Sequence, residues 1–461
     1  MNYSQTIQMG TPFSSADQGQ ERDVARALTG GPQTAAQLIS RLGVSQPTLS
    51  RTIRGLSQTI TSFRITGQRT PGYALLRQLP MGLNPRQRIH RYLAQGHILP
   101  FADVEFLVGG GTLERVGKVT RLYEGLPPYM AFAAPSGFLG RQLAQQAARS
   151  PIFPGNLSDW NDEHRVAYLF TQGINLPGNL VFGDLMLQRE LELRAAAPVP
   201  AAAKLMHYVE MASTLKTSAY GSSAGGEQPK FLSLTEDSGH VIVKFAKLGS
   251  RMAQLLPLEH LALRALAQAD VTATPTQLLA AGDHVFLEVA RFDRVGPNGR
   301  IGLLSAGAVD DEVFGRRDSW SAFAARCEQA RILSHGDARQ VDTLAAFSEL
   351  IGNTDRHFEN ISLLVGENGR YLGIAPAYDI LPMRYASIGG GLDPALTPIE
   401  PQIGAIGLQP QVWARAAHAA EHFWRSAQTQ TLAVPLSAAI KRLAAQNLKV
   451  ASAFAAPLLS A

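Results

Sequence analysis

The sequence predicts an α+β protein in which a small, basic helix-turn-helix unit with a β-wing precedes a larger mixed body. Three observations carry this. Within the first 80 residues a helical apolar period gives way to two short strand-like runs. Further on, a Gly-rich loop enters strand-like runs that flank a long helical one. The chain, at 461 residues, is also too long for one ordinary hydrophobic core, so several units are expected.

Residues 1–20 are polar and aperiodic and read as a flexible tail. From Arg22 the pattern is helical, with Val24 and Leu28, then, past the break at Gly30, Gly31 and Pro32, Leu38, Leu42 and Val44. Gly43 stands where a helix must stop and turn, and Ser45 suits the N-cap of the next helix, with Pro47 in its first turn. That helix, SQPTLSRTIRGL, turns Leu49, Ile53 and Leu56 inward. Gln46, Thr48, Ser50, Arg51 and Arg54 are left facing out, as groove-reading side chains would be. Residues 63–65 and 73–75 flank a Gly-bounded turn carrying Gln68 and Arg69, which predicts a two-stranded wing. Residues 21–79 are therefore expected to be a winged helix-turn-helix that binds DNA through these positions, Arg69 included. An αα-hairpin used for protein contact is the competing reading.

Charge supports the DNA reading. Residues 1–80 hold eight arginines against three acidic residues, while the rest of the chain carries 34 charges of each sign. A cationic module on a neutral body suits a nucleic-acid-binding appendage, although a merely soluble basic unit would count the same.

The bulk numbers exclude other classes. A lone Cys327 cannot form an intramolecular disulfide, and the first ten residues lack a signal sequence, so a reducing cytoplasm is the expected location. No run approaches about 18 apolar residues, and no membrane association is expected. Residues 80–200 form a mixed region with few motifs. Gly109, Gly110 and Gly111 have no following Lys and no GxGxxG spacing, so they read as a turn. The Ala/Pro run 195–203 reads as a connection.

The chemistry gathers after Tyr220. In YGSSAGGEQPKFLSL, Gly221, Gly225 and Gly226 allow a backbone to wrap closely round phosphates. Lys244 lies inside the apolar strand VIVKFAK, where a cation needs an anionic partner. Glu259, fifteen residues later in a helical run, can supply one and hold Lys244 toward phosphates. The strand VFLEVA, with Val289, then meets a polar stretch at Arg291 and suits a hinge whose backbone faces adenine. In GNTDRHFENISLLVGENGRYLGIAPAYDILP, Asp355 and Asn360 show D-x-x-x-x-N spacing. A strand, a GENG turn and a second strand lead on to Asp379, and a hairpin brings its two ends together. One carboxylate could then accept a hydroxyl proton while an amide oxygen and a second carboxylate hold Mg²⁺. His357 reads as a brace for this loop rather than a ligand or base. The plain alternative is that Asp355, Asn360 and Asp379 merely cap turns.

The segments SSAGGEQPK, VIVKF, ARFDR, TDRHFEN and PAYDI stand in the order found in the HipA family of toxin kinases, which the chain resembles over about residues 80–450. The resemblance implies a two-lobed HipA/protein-kinase-like fold. Residues 80–200 would be its N-terminal subdomain, 201–290 the small β-rich ATP-binding N-lobe, and 291–461 the helical C-lobe. It implies ATP and Mg²⁺ as cofactors, with ATP held by Gly225, Gly226, Lys244, Glu259, Val289 and Arg291. Asp355 would be the base, Asn360 and Asp379 the Mg²⁺ ligands, and Ser222 or Ser223 the site of autophosphorylation. The implied activity is a serine/threonine kinase acting on a protein such as an aminoacyl-tRNA synthetase, with a HipB-like antitoxin as a further partner. In ARFDR, Ala290 stands where the family has Glu, leaving hinge recognition there to the backbone. Two rival functions share these residues: a DNA-binding regulator whose body senses ATP without transferring phosphate, and a small-molecule kinase.

Overall fold

Local sequence rules already fix the first helices. The computed structural model describes residues 15–217, 228–388 and 392–459. The helix Ala35–Leu42 opens on a capping box between Thr34 and Gln37 and closes on Gly43, whose φ of 65° is the left-handed turn that glycine makes without strain. Ser45 then caps the helix Gln46–Gly55 by accepting the Thr48 N–H. Leu38, Leu49 and Ile53 pack with Val24 and Leu28 of the helix Ser15–Leu28. That first helix starts seven residues before the apolar pattern at Arg22, so the expected tail is shorter; once packed, a helix extends at one hydrogen bond per residue.

The hairpin also differs from expectation. Its strands are Ile60–Phe63 and Gly72–Leu75, joined at the sheet's other edge by a two-residue strand Gln33–Thr34. The first strand begins earlier than 63–65 because the Ile60 N–H closes onto the Leu56 carbonyl, which sends the chain straight from helix to strand.

A second unit follows. Five antiparallel strands, Arg86–Tyr92, Ile98–Phe106, Thr112–Val116, Val119–Tyr123 and Leu180–Phe182, form one sheet covered by helices. The Gly109–Gly110 turn lies between two of them, both glycines having φ near 90°. Glu105 ties the first unit to this sheet: it accepts hydrogen bonds from Thr61 (2.6 Å), Arg86 (2.9 Å) and Arg115 (2.7 Å). Burial would raise its pKa, but these donors outweigh that and hold the carboxylate below its usual value.

The third unit carries the site. Strands Thr276–Ala281, His284–Ala290, Gly239–Lys247 and Lys230–Thr235 make an antiparallel sheet in that order. The 18-residue helix Arg251–Gln268 packs on it, with Ala253 and Leu256 against Leu278, Val285, Leu287 and Val289. Below lies a helical lobe whose core includes Phe347 of His335–Ile351, Trp413 and Phe423 of Pro410–Thr429, and Leu443 of Ala438–Ala455. A small sheet, Gly302–Ser305, Ser362–Val365 and Tyr371–Ile374, is set into this lobe. Among the described residues no helix is long and apolar enough to cross a membrane.

Candidate phosphotransfer site

Lys244 occupies the middle of Gly239–Lys247, between Leu287 on one neighbouring strand and Lys230 on the other. Alternation turns it toward the long helix, where it is 4% exposed and its Nζ lies 2.5 Å from Glu259 Oε1 and 2.5 Å from Asp379 Oδ1. Burial alone would neutralise the ammonium; the two carboxylates reverse this and keep it charged. Glu259 is fully buried, and desolvation pushes its pKa up more than Lys244 pulls it down. Asp379 is held well below the carboxylate range, because Lys244 and Lys230 outweigh its burial.

Lys230 is the residue that sequence reasoning missed. Like charges directly opposite on paired strands repel, so two facing lysines make sense only around anions. The available signal was its place at the head of a strand that pairs with the Lys244 strand.

The residues of the Asp355–Asn360 loop come from a different direction. Helix His335–Ile351 stops at Gly352, whose φ of 76° turns the chain into the loop; a Cβ there would press on Ile399 at 3.0 Å. Buried Asn353, also unforeseen, accepts the Asp355 N–H at 3.1 Å. Asn360 Nδ2 donates to the Asp355 carbonyl at 2.8 Å, which turns its Oδ1 away from that bond. The Asp355 carboxylate is half-exposed, with His357 Nε2 3.7 Å away. His357 is gripped by Glu359 at 3.3 Å, and its carbonyl accepts the Trp320 indole N–H at 3.1 Å. The hydrogen bond with Glu359, more than any other interaction, raises the His357 pKa.

The hairpin Ser362–Val365 and Tyr371–Ile374 returns the chain to Tyr378, whose hydroxyl donates to the Glu359 carbonyl at 2.7 Å. Asp379 follows directly with a φ of +56°, a left-handed conformation that Asp tolerates better than most residues. Asp379 and the Asp355–Asn360 loop are thereby drawn to one place. Val289, the penultimate residue of its strand, stands between Ile242 and Thr276. Arg291 is not brought to the cluster. Its N–H donates to the His240 carbonyl, and its guanidinium is engaged by Asp293, the Asn175 side chain and the Leu176 carbonyl. A buried guanidinium follows its carboxylate, so Arg291 fastens the second unit to the third. Gly225, Gly226, Ser222 and Ser223 lie outside the described residues.

The residues present fit a magnesium ion that shares its shell with phosphates. Asn360 Oδ1 and the Asp379 carboxylate are hard oxygen donors, few enough to leave room for phosphate oxygens. Among the described residues no cluster of three or more His, Cys, Asp or Glu side chains offers an all-protein cage instead. Among the described residues, buried Glu259 Oε2 and Gln228 Nε2 also lack hydrogen-bond partners.

At the N-terminus, Gln46, Arg51, Arg54 and Arg69 are exposed and Thr48 and Ser50 half-buried. Thr48 is engaged by Ser45 (2.9 Å) and Ser50 by Gln46 (3.4 Å).

Comparison with known proteins agrees with this architecture. Residues 222–452 match the model of the HipA-like C-terminal domain, and residues 83–191 that of the YjjJ-like toxin middle domain. The chain is 32% identical to Toxin YjjJ of Escherichia coli K12 over 414 residues, 87% of this chain and 91% of that protein. In solved structures it resembles the Shewanella oneidensis MR-1 HipA toxin–antitoxin complex with HipB and operator DNA. That likeness has a TM-score of 0.51 at 14% identity, covers 81% of this chain and 99% of the matched one, and concerns the fold. With a family model over half its length and a relative this similar over most of it, the chain belongs to the HipA family as a YjjJ-like toxin.

Proposed function

We propose that this toxin is an ATP-dependent protein serine/threonine kinase that also binds DNA through its N-terminal unit. The observation that carries the kinase reading is the meeting of Lys244, Glu259 and Asp379 beside the Asp355–Asn360 loop. Lys244, steadied by Glu259 and seconded by Lys230, binds the nucleotide's phosphates. Asp355, exposed enough to meet a protein hydroxyl, takes its proton as the oxygen attacks. Asn360 and Asp379 would hold Mg²⁺, which when bound offsets charge on the phosphate oxygens. Burial of Lys244 and Glu259 keeps water from weakening their pairing.

Ser222 or Ser223, in the Gly-rich segment, is the proposed autophosphorylation site. About −1.5 to −2 charges there would compete with the triphosphate and switch the enzyme off. The substrate proposed from the family is a translation protein such as an aminoacyl-tRNA synthetase, with a HipB-like antitoxin as a further partner. For DNA binding, the support is the capped, outward-facing helix Gln46–Gly55 with exposed Arg51 and Arg54.

The test is phosphopeptide mass spectrometry of cells expressing the chain or its Asp355→Ala form. Phosphate on loop and partner serines should vanish in the variant, while a non-hydrolysable ATP analogue still binds the variant and the unphosphorylated form of the unmodified chain. Equal phosphorylation in both would remove the kinase reading. Analogue binding without any transfer by the unmodified chain would leave the ATP-sensing regulator.

A further inference from the structure

One cavity lies apart from Lys244. It has a volume of about 280 Å³ and opens between the helices Gly183–Arg194 and Lys204–Thr217 and the short strand pair Arg294–Val295 and Gly299–Arg300. Three guanidiniums line it, Arg194, Arg294 and Arg300, against one carboxylate, Glu190. That carboxylate is already bound by Arg300 and by the Asn175 N–H. Behind the wall, Asp293 is shared between Arg291 and Arg294. Wall and backing together therefore set four guanidiniums against two carboxylates.

Arg294 makes the imbalance specific. Its side chain is 3% exposed, and its Nη atoms are held by Asp293, Asn175 and the carbonyls of Leu176 and Gly178. Its Nε is buried without a partner among the described residues. A buried charged donor left unused is costly, and Arg294 is part of the cavity wall. His240, on the same wall, reports the field: burial first, then Arg294, Arg291 and Arg300, push its pKa down. The remaining wall is apolar where Met211, Leu232 and Leu234 contribute. A bare inorganic ion would leave that surface in contact with water, whereas an apolar body would cover it.

The geometry points to a second ligand site in this cavity, for a small organic anion that carries a phosphate, sulfonate or carboxylate on a flat apolar body. Leu232 and Leu234 belong to the strand that also holds Lys230, and His240 lies four residues before Lys244, about 13 Å along its strand. A ligand here would brace the sheet end remote from the phosphates and bind it to the second unit, coupling a metabolite to the lobe that holds Lys244. The inference does not depend on phosphate transfer.

The test uses the full chain and 1-anilinonaphthalene-8-sulfonate, a flat aromatic anion whose fluorescence reports binding, with a non-hydrolysable ATP analogue present throughout to cover the phosphotransfer cluster. Two variants alter the cavity at exposed positions: Arg194→Glu reverses a charge and Ala197→Trp fills the mouth. One dye per chain should bind the unmodified protein. Each variant should weaken it at least about tenfold, the scale of one charge-assisted hydrogen bond, with thermal midpoints unchanged. The uncharged N-phenyl-1-naphthylamine should bind the unmodified protein at least about tenfold more weakly than the anion. Equal affinity in all three proteins, equal affinity for the two dyes, or no stoichiometric binding would each overturn the proposal. Because the readout is dye binding, loss of kinase activity in any sample leaves the result interpretable.

Discussion

The side-chain amide of Asn360 donates to the main-chain carbonyl of Asp355 at 2.8 Å, so the residue proposed to offer an oxygen to Mg²⁺ also holds the backbone of the proposed base. Asn360→Asp keeps an oxygen ligand but removes this N–H donor. It should lower phosphate transfer by about 10²-fold or more, comparable to loss of Asp355 itself, through misplacement of that carboxylate. Autophosphorylation rates at saturating ATP and Mg²⁺ check this. A variant within a few-fold of the unmodified rate would mean the bond has no positioning role.

The Glu259 carboxylate is fully buried, and its ion pair is with Lys244. Lys244→Met should cost about 3–5 kcal/mol of stability by leaving a buried charge uncompensated. Adding Glu259→Gln should return a good part of that. Urea unfolding of the single and double variants measures it, and equal midpoints would show that the two residues are not energetically coupled.

His260, on the helix Arg251–Gln268, gives the lobe an acid sensitivity. Burial, with Arg264 adding to it, pushes its pKa from 6.5 down to about 4, and its Nδ1 meets Thr276 Oγ1 at 2.8 Å. A depressed histidine binds protons more readily unfolded than folded. Its contribution is therefore complete above the unfolded pKa near 6.5 and falls away as pH drops toward the folded value. Between pH 7 and pH 5 the decline should be about 2 kcal/mol. His260→Gln should flatten that part of a urea-midpoint profile; an unchanged slope would assign the acid sensitivity to other groups.

Arg51 and Arg54 are exposed on the helix Gln46–Gly55, and the inward face of that helix is made by Leu49, Thr52 and Ile53. Replacing both arginines with Ala should leave stability within about 0.5 kcal/mol. It should flatten the salt dependence of duplex binding by roughly one slope unit for each phosphate left unneutralised. Fluorescence anisotropy across a salt series reads this directly. No duplex binding by the unmodified chain at low salt would make the unit a protein-contact domain.

What the sequence determined by itself is what depends on neighbours a few residues apart. The left-handed stop at Gly43, the cap at Ser45, the strand around Lys244 and the turn at Gly109 each follow from backbone freedom, a nearby donor or side-chain alternation. The convergence on Asp379 was also legible, because a tight hairpin fixes where its two ends meet. The tertiary structure decided the rest. Whether Lys230 faces Lys244 is a matter of strand register, and the five-stranded sheet of the second unit pairs Arg91 with Leu180, far along the chain. Arg291 reads as a hinge residue in the sequence, yet its guanidinium sits on Asn175, 116 positions away. The reason is physical: loop closure leaves no periodic trace in the residues it joins, and a charged side chain takes the partner that burial brings to it.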